Sequence, residues 1–231
     1  MKLLAVDTST SSLSIAICRQ DSVLVEATLE CDRRHTERLL ATVDWALKEV
    51  SLTLADLGAL AVTIGPGSFT GLRVGLAAMK GLAVGARLPL IGVLTLDAMA
   101  RMVGISSGTV CPLLDAKMGE VFGAAYAIQS LSPVKLSPDR VCSVQAFLEN
   151  APAEAYYLGD GALLYRSEIA RMRPESHILG PLFGAPRASA VAQEARHILE
   201  SGAVATNPDE VVPVYLRVSQ AEQARDRAVV S

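Results

Sequence analysis

Residues 61–86 constrain the fold of this chain more than any other stretch of its sequence. An apolar run over residues 60–64 is followed by Gly-Pro-Gly at 65–67 and Ser-Phe-Thr at 68–70, and a helical pattern then begins. This order predicts a buried strand, a tight loop and a helix. Because open α/β sheets bind ligands where their strands end, the loop is the first candidate site.

The residues of this loop suit a sharp turn into a helix. Gly65 and Gly67 let the backbone turn, Pro66 stiffens it, and Ser68 or Thr70 can cap the first free amides of the helix. The loop is therefore either a structural turn or a cradle for a bound phosphate. It matches neither the P-loop nor the dinucleotide pattern, because the Gly-Lys-Ser/Thr ending is absent and position 70 is Thr.

The predicted helix over residues 71–86 is apolar nearly all round, with Arg73 and Lys80 marking one polar edge. At about 100° per residue, one face is predicted to pack on the sheet: Leu72, Leu76, Met79, Leu82 and Ala83. The opposite face carries mostly small residues: Val74, Ala77, Ala78, Gly81 and Gly85. Small residues four apart let another helix approach closely, so a partner helix is expected here, from this chain or another.

The first half of the chain has the element order of a ribonuclease H-like lobe, in which three meandering strands precede alternating helices and strands. A boundary between two lobes is predicted at residues 105–109. The predicted elements are strands over 2–7, 13–18, 23–30, 60–64 and 89–96, and helices over 35–50, 71–86 and 97–103.

The second half begins like the first. An apolar run over 110–115 ends in Asp115, as the run over 2–7 ends in Asp7, and in each case a strand follows. This weak repeat predicts an α/β protein of two ribonuclease H-like lobes, residues 1–104 and a degenerate second lobe over 105–231. The last helix and tail are candidates for packing back on the first lobe. The other predicted elements are strands over 120–128 and 156–159, helices over 162–172 and 188–201, and a frayed tail over the last dozen residues.

Composition excludes several classes of protein. The 231 residues, 51% of them hydrophobic, can form two modest cores, and a signal peptide or membrane segment is not expected. The four cysteines lack metal-binding spacing and are expected to be reduced thiols in the cytoplasm. The net charge of -3 argues against a general nucleic-acid binder.

Two carboxylates are the main chemical candidates. Asp7 and Asp115 end matching strands, and in a duplicated fold both would face the cleft between the lobes, where paired carboxylates bind metals or activate water; alternatively, each caps its own turn. His35 is expected to be solvated, and no His-x-x-x-His pair exists, so no metal site is predicted. Because a nucleophile-elbow pattern and an acid–base constellation are also absent, no catalytic residue is predicted. The candidate residues of this cleft are Asp7, Ser9, Gly65, Gly67, Ser68, Asp115, Gly159 and Gly161.

Trp45, the only tryptophan, is predicted to lie on the outer side of the helix over 35–50. It is either part of an interface or a side chain lying flat over a neighbouring loop. Arg38, Thr42 and Glu49 share its side. The buried stripe of the helix is predicted to be Leu39, Leu40, Val43, Leu47 and Val50.

Six segments spread over nearly the whole chain form a recognisable set. They are Leu-Leu-Ala-Val-Asp-Thr-Ser-Thr (3–10), His-Thr-Glu-Arg-Leu-Leu (35–40), Gly-Pro-Gly-Ser-Phe-Thr-Gly-Leu-Arg-Val-Gly (65–75), Lys-Gly-Leu-Ala (80–83), Asp-Ala-Lys-Met-Gly-Glu-Val-Phe (115–122) and Pro-Val-Tyr-Leu-Arg (213–217). In this order they closely resemble the bacterial TsaB (YeaZ) family. Two departures are mild: Lys117 stands where the family usually has Arg, and Phe122 where it usually has Tyr.

The resemblance implies an ASKHA-type fold and a role in making threonylcarbamoyladenosine next to the anticodon of tRNAs. It implies a non-catalytic subunit that holds no cofactor and pairs with the catalytic, metal-holding TsaD. The small ATPase TsaE joins the pair, tRNA is contacted indirectly, and the protein alone is expected to homodimerise.

In the family the pairing surface is built from the first two helices of the first lobe. These are the helices over 35–50 and 71–86 here, on which the doubly apolar face and Trp45 lie. The implied interface residues are Arg38, Thr42, Trp45, Glu49, Arg73, Val74, Ala77, Ala78, Lys80, Gly81 and Gly85. The competing prediction is a stand-alone ATPase or peptidase-like enzyme that uses the cleft, including the Gly159-Asp160-Gly161 turn.

Overall fold

The computed structural model describes residues 1–31, 34–202 and 207–217, and the predicted tail lies outside them. The element order predicted for the first lobe is confirmed. Its elements are Lys2–Asp7 (β1), Ser12–Arg19 (β2), Ser22–Glu30 (β3), His35–Glu49 (α1), Ala59–Gly65 (β4), Phe69–Ala86 (α2), Leu90–Leu94 (β5) and Thr95–Arg101 (α3).

A second set of elements begins after α3, and its last member is the predicted helix near residue 188. The division of the chain after residue 104 stays a prediction. The elements are Ser107–Lys117 (β6), Glu120–Gly123 (β7), Tyr126–Gln129 (β8), Ser132–Lys135 (β9), Arg140–Ser143 (β10), Val144–Glu149 (α4), Tyr156–Leu158 (β11), Asp160–Leu164 (α5), Arg166–Met172 (α6), His177–Ile178 (β12) and Ala188–Glu200 (α7).

The two sheets repeat one topology. The first has the order β3-β2-β1-β4-β5 and the second contains the order β10-β7-β6-β11-β12, with the hairpin of β8 and β9 added to β6. In each, the central strand is antiparallel to the hairpin strand that follows it and parallel to the next strand on its other side. The predicted duplication of an α/β lobe is therefore confirmed, and the second copy is degenerate because most of its strands are short.

The first sheet is covered on both faces because its central strand is apolar on both sides. Leu4 and Val6 of β1 join the core beneath α1 and α2. Leu3 and Ala5 point to the other face, where α7 packs through its own apolar stripe. The last described helix of the chain thus completes the first lobe.

Two segments of the second lobe are divided where the sequence predicts continuous elements. The strand predicted over 120–128 is interrupted between β7 and β8, although Leu113 pairs with Gly123 and Val110 with Tyr126 in an unchanged register. That register places the break opposite Pro112, whose missing N–H interrupts the ladder. The helix predicted over 162–172 is α5 and α6, which meet at Tyr165.

No helix among the described residues has the length and apolar character that a membrane span requires.

Candidate functional site

Helix α2 is seated on the sheet as its sequence predicts. Leu72, Leu76, Met79 and Ala83 are buried, while Leu82 packs against the same core half-buried. The Oγ of Ser68 accepts a hydrogen bond from the N–H of Gly71 at 3.2 Å, so the predicted N-cap is confirmed. With its buried face fixed in this way, the opposite face of the helix points outward.

The outward face of α2 is flat and open. Ala77, Gly81 and Gly85 are exposed, and Val74 and Ala78 are half-buried. A Cβ added at Gly81 or Gly85 would have no atom of the described residues within 4 Å. Val84 is also exposed on this side, although sequence analysis did not select it. The face offers little side-chain bulk, which permits close approach of another helix.

Helix α1 packs beside α2 and contributes larger exposed side chains. Trp45 is 43% exposed, Arg38 and Glu49 are exposed, and Thr42 is half-buried with its hydroxyl donating to the Arg38 carbonyl at 2.8 Å. An exposed Trp among charged residues is a composition typical of interface hot spots. The candidate interface residues of both helices therefore lie on the surface.

Two expectations for α1 are wrong. Leu40 is 53% exposed, because it lies about 100° round the helix from Leu39 and so misses the narrow stripe that faces the sheet. His35 is buried instead of solvated, and its Nε2 lies 3.2 Å from the carbonyl oxygen of Ser12. A first-turn histidine is drawn into the protein here because a buried backbone acceptor is available to it.

Arg73 and Lys80 have contacts within the chain. The Nε of Arg73 donates to the Tyr215 hydroxyl at 3.0 Å, and the Nζ of Lys80 donates to the Asp209 carbonyl at 3.1 Å. Sequence analysis missed the role of this C-terminal segment. The one signal for it was the resemblance of the segment Pro-Val-Tyr-Leu-Arg at 213–217 to the family pattern.

A cavity of about 660 Å³ lies between the two lobes. Of the residues predicted to form the cleft, Ser9, Gly67, Ser68 and Asp115 line it. Asp7, Gly65, Gly159 and Gly161 are not part of its lining. Asp160, of the Gly-Asp-Gly turn that sequence analysis assigned to the cleft, also lines it. Sequence analysis missed several other lining residues, which include His35, Phe69, Phe122, Lys117, Tyr215 and Arg217.

Asp7 is fully buried behind the β1–β2 turn, so it does not meet Asp115 across the cavity as expected. Its Oδ1 accepts hydrogen bonds from the hydroxyls of Ser9 at 2.6 Å and Thr63 at 2.7 Å. Its Oδ2 has no hydrogen-bond partner among the described residues. Burial raises the pKa of Asp7 to about 6, and the hydrogen bonds from Ser9 and Thr63 oppose this rise.

Asp115 and its neighbours form a set of paired charges at the cavity wall. The carboxylate of Asp115 accepts from the backbone N–H of Lys117 at 2.8 Å and from its Nζ at 2.5 Å, and this contact raises the pKa of Lys117. Asp160 accepts from the N–H of Asp115 at 2.9 Å, and burial raises the pKa of Asp160. Within the described ranges, no group of three His, Cys, Asp or Glu side chains could hold a metal ion.

The Gly-Pro-Gly loop is a structural turn that also borders the cavity. Gly65 has a φ of +121°, and a Cβ there would lie 2.4 Å from the carbonyl oxygen of Val214. A side chain at this position would push away the C-terminal segment. Gly67 and Ser68 line the cavity from the same loop, and binding of a phosphate there stays a prediction.

Comparisons with known proteins agree with this architecture. The family model described as "TsaD: tRNA N6-adenosine threonylcarbamoyltransferase" matches residues 29–211. A YeaZ-like protein of Pseudomonas aeruginosa, whose crystal structure is described as uncharacterized with similarity to peptidase YEAZ, superposes with a TM-score of 0.81 and 26% identity over 94% of this chain and 99% of that one.

Two relatives are both described as tRNA threonylcarbamoyladenosine biosynthesis protein TsaB. The Escherichia coli protein is 44% identical over 128 residues, an alignment that spans 54% of this chain and 55% of the relative. The Haemophilus influenzae protein is 31% identical over 230 residues, which are 94% of each chain. With a matching structure over the same span, this chain belongs to the TsaB (YeaZ) family, within the wider group that the transferase model describes.

Proposed function

We propose that this chain is a non-catalytic subunit of the complex that installs threonylcarbamoyl on the anticodon-adjacent adenosine of tRNAs. It binds a catalytic TsaD subunit through α1 and α2. Family membership supports the pathway, since the relatives carry it in their names. The single observation that carries the subunit role is the outward face of α2, where Gly81 and Gly85 leave room for a second helix.

The chemistry of this face suits helix packing. Ala77 and Gly81 allow the axes of two helices to come close, which brings many atoms into van der Waals contact. Trp45 and Val84 supply apolar area that is lost from water on association. The exposed charges of Arg38, Glu49 and Arg73 and the half-buried charge of Lys80 lie around this centre and set the orientation of the partner.

The same face serves two partners in turn. A second copy of this chain covers it when the protein is alone, and TsaD replaces that copy in the complex. TsaE joins through the complex, tRNA is contacted indirectly, and the ATP is used by the partner subunits in the cytoplasm. Burial of the face stabilises the productive form of the catalytic subunit, a population shift that needs only about 1–3 kcal/mol.

Light scattering on a size-exclusion column tests the proposal. Wild type, Gly81→Arg and the control Gly104→Arg are each measured alone and mixed with TsaD from the same organism. Gly104 is an exposed glycine outside α1 and α2, and a Cβ there would also meet no described atom within 4 Å. Wild type and Gly104→Arg are expected to exchange a homodimer for a heterodimer. Gly81→Arg is expected to stay a folded monomer, and normal pairing by this variant would refute the assignment.

A stand-alone ATPase or peptidase-like enzyme is the competing function, and the inter-lobe cavity favours it. The residues that line the cavity argue against an enzyme, because the Asp115 carboxylate is paired with Lys117 and Asp7 does not line the cavity. Pure protein is therefore expected to hydrolyse neither ATP nor a protein substrate above a heat-killed control. A cavity-dependent rate, abolished by substitution of Asp115, would establish the enzyme instead.

A further inference from the structure

The segment over residues 207–217 returns from α7 to the edge of the first lobe and is anchored there by its backbone. The N–H of Val214 donates to the carbonyl of Ile64 at 2.7 Å. Val211 packs against the first core and approaches Gly92, where a Cβ would lie 2.9 Å from its Cγ1. The segment is thus a fixed part of the lobe, although it belongs to no helix or sheet beyond a short 3₁₀ turn at Pro208–Glu210.

Side chains of α2 hold the segment at two points. The guanidinium of Arg73 lies 3.9 Å from the centre of the Phe69 ring, and the ring of Tyr215 lies 4.9 Å from that of Phe69. Tyr215 also accepts the hydrogen bond from Arg73, and Lys80 bonds to the carbonyl of Asp209. Arg73 and Lys80 are about two helical turns apart, so the segment follows α2 for about 10 Å.

The segment borders the open face of α2. At about 100° per residue, Arg73 and Lys80 lie on one line, and the exposed residues Ala77, Val84 and Gly81 lie within about 100° on one side of it. The segment occupies that line. A partner helix laid on Ala77 and Gly81 therefore has the segment as its immediate neighbour.

Two side chains of the segment remain exposed. Val212 lies between the residues that bond to Lys80 and Arg73, and Tyr215 is the residue that bonds to Arg73. Val212 is 60% exposed, and Tyr215 is 38% exposed. Internal packing does not explain a valine at this position, because most of its side chain is in contact with solvent. Its backbone is nevertheless held in place, since Val214 is hydrogen-bonded to Ile64 and Asp209 to Lys80. The exposed pair is therefore presented on a rigid support, a condition that lowers the entropic cost of binding.

We propose that residues 207–217 form a second wall of the partner-binding surface, so that the catalytic subunit contacts Val212 and Tyr215 in addition to α2. This inference rests on the proposed function. The occupant is the same subunit, because Arg73 and Lys80 bond the wall directly to α2, so a subunit that covers the α2 face also meets the wall. These two cations lead us to expect carboxylates opposite them and an apolar side chain opposite Val212.

Calorimetric titration with TsaD from the same organism tests the wall with Val212→Asp, and Val134→Asp serves as the control. Val134 is also an exposed valine but lies on β9 of the other lobe. We expect Val212→Asp to weaken binding about tenfold or more and Val134→Asp to change it less than about twofold. Hydrogen exchange of the amides of Val212, Tyr215 and Leu216 in wild type is expected to slow on complex formation.

The outcomes separate this inference from the function on which it rests. If Val212→Asp binds like wild type and the amides exchange unchanged while Gly81→Arg fails to bind, the second wall is wrong and the α2 interface stands. If Gly81→Arg also binds like wild type, the proposed function fails. Unchanged thermal unfolding of Val212→Asp excludes a folding defect as the cause of weaker binding.

Discussion

The hydroxyl of Thr8 occupies the space that a side chain at position 75 would need: a Cβ added to Gly75 would lie 2.1 Å from the Oγ1 of Thr8. The same Oγ1 donates to the carbonyl of Gly71 at 2.8 Å. The turn after β1 is therefore fixed on the first turns of α2. Gly71 and Gly75 of this helix are buried against that turn, whereas Gly81 and Gly85 face outward.

Alanine substitutions should separate these two roles. Gly75→Ala is expected to lower the free energy of unfolding by about 1–3 kcal/mol, because Thr8 must move and lose its hydrogen bond. Gly81→Ala has open space and should raise the free energy of unfolding by up to about 1 kcal/mol, since alanine favours the helix. Urea denaturation of both variants measures the difference, and equal stabilities would contradict the close packing at Thr8.

The buried carboxyl of Asp7 should make stability depend on pH. Its pKa is about 6 in the folded protein and near 3.8 when unfolded, so the folded state binds more protons between these values. The contribution of Asp7 to stability is therefore greatest below about pH 4, falls as the pH rises towards 6, and is least above that.

Asp7→Asn removes this titration, so its stability relative to wild type should increase by about 2–3 kcal/mol between pH 4 and pH 8. Urea denaturation of both proteins at the two pH values gives the difference. The comparison with wild type cancels the titration of other groups. A constant difference between the two proteins would mean that Asp7 keeps an ordinary pKa in the fold.

A buried ion pair should fix α3 to α7. The side chains of Arg101 and Glu194 are ion-paired and only about a tenth exposed. Arg101→Met leaves the Glu194 carboxylate buried without its cation and is expected to cost about 3–5 kcal/mol of unfolding free energy. The control Lys48→Met, at the exposed pair with Asp44, should cost less than about 1 kcal/mol. Thermal and urea unfolding measure the free energy that each variant loses. Similar losses would show that the buried pair contributes no more to stability than the exposed pair.

Trp45 offers a spectroscopic test of the α1 side of the interface. Because the chain has one tryptophan, labelling it with 5-fluorotryptophan gives a single fluorine resonance. Unlabelled TsaD should shift this resonance, since the Trp45 side chain, 43% exposed in the single chain, contacts a different surface in the heterodimer than in the homodimer. A resonance unmoved at saturating partner would place Trp45 outside the contact.

The first lobe could be predicted from sequence because its signals are local. Alternating strands, a Gly-Pro-Gly turn and an N-cap at Ser68 each act within a few residues, and the structure contains them all. The two faces of α2 follow from helical spacing in the same way. The likeness of Asp7 and Asp115 at matching strand ends correctly indicated the duplication.

What sequence analysis missed depends on contacts between distant residues. Asp7 was expected in the cleft, but Thr63 draws its carboxyl inward from a neighbouring strand. His35 is buried because Ser12 offers an acceptor 23 positions away. The segment over 207–217 carries no periodic pattern, since its place is set by hydrogen bonds to β4 and α2. Contacts between distant residues do not change the local spacing of polar and apolar residues, so the sequence pattern does not reveal them.

The packing of α7 on the first sheet has a consequence for synthesis of the chain. The last strand of that sheet ends at Leu94, but the helix that covers Leu3 and Ala5 begins only at Ala188. At about 5–20 residues per second, a ribosome leaves this apolar face uncovered for about 5–20 s. The nascent sheet is then a substrate for chaperones, and a fragment that stops at residue 104 should aggregate when expressed by itself.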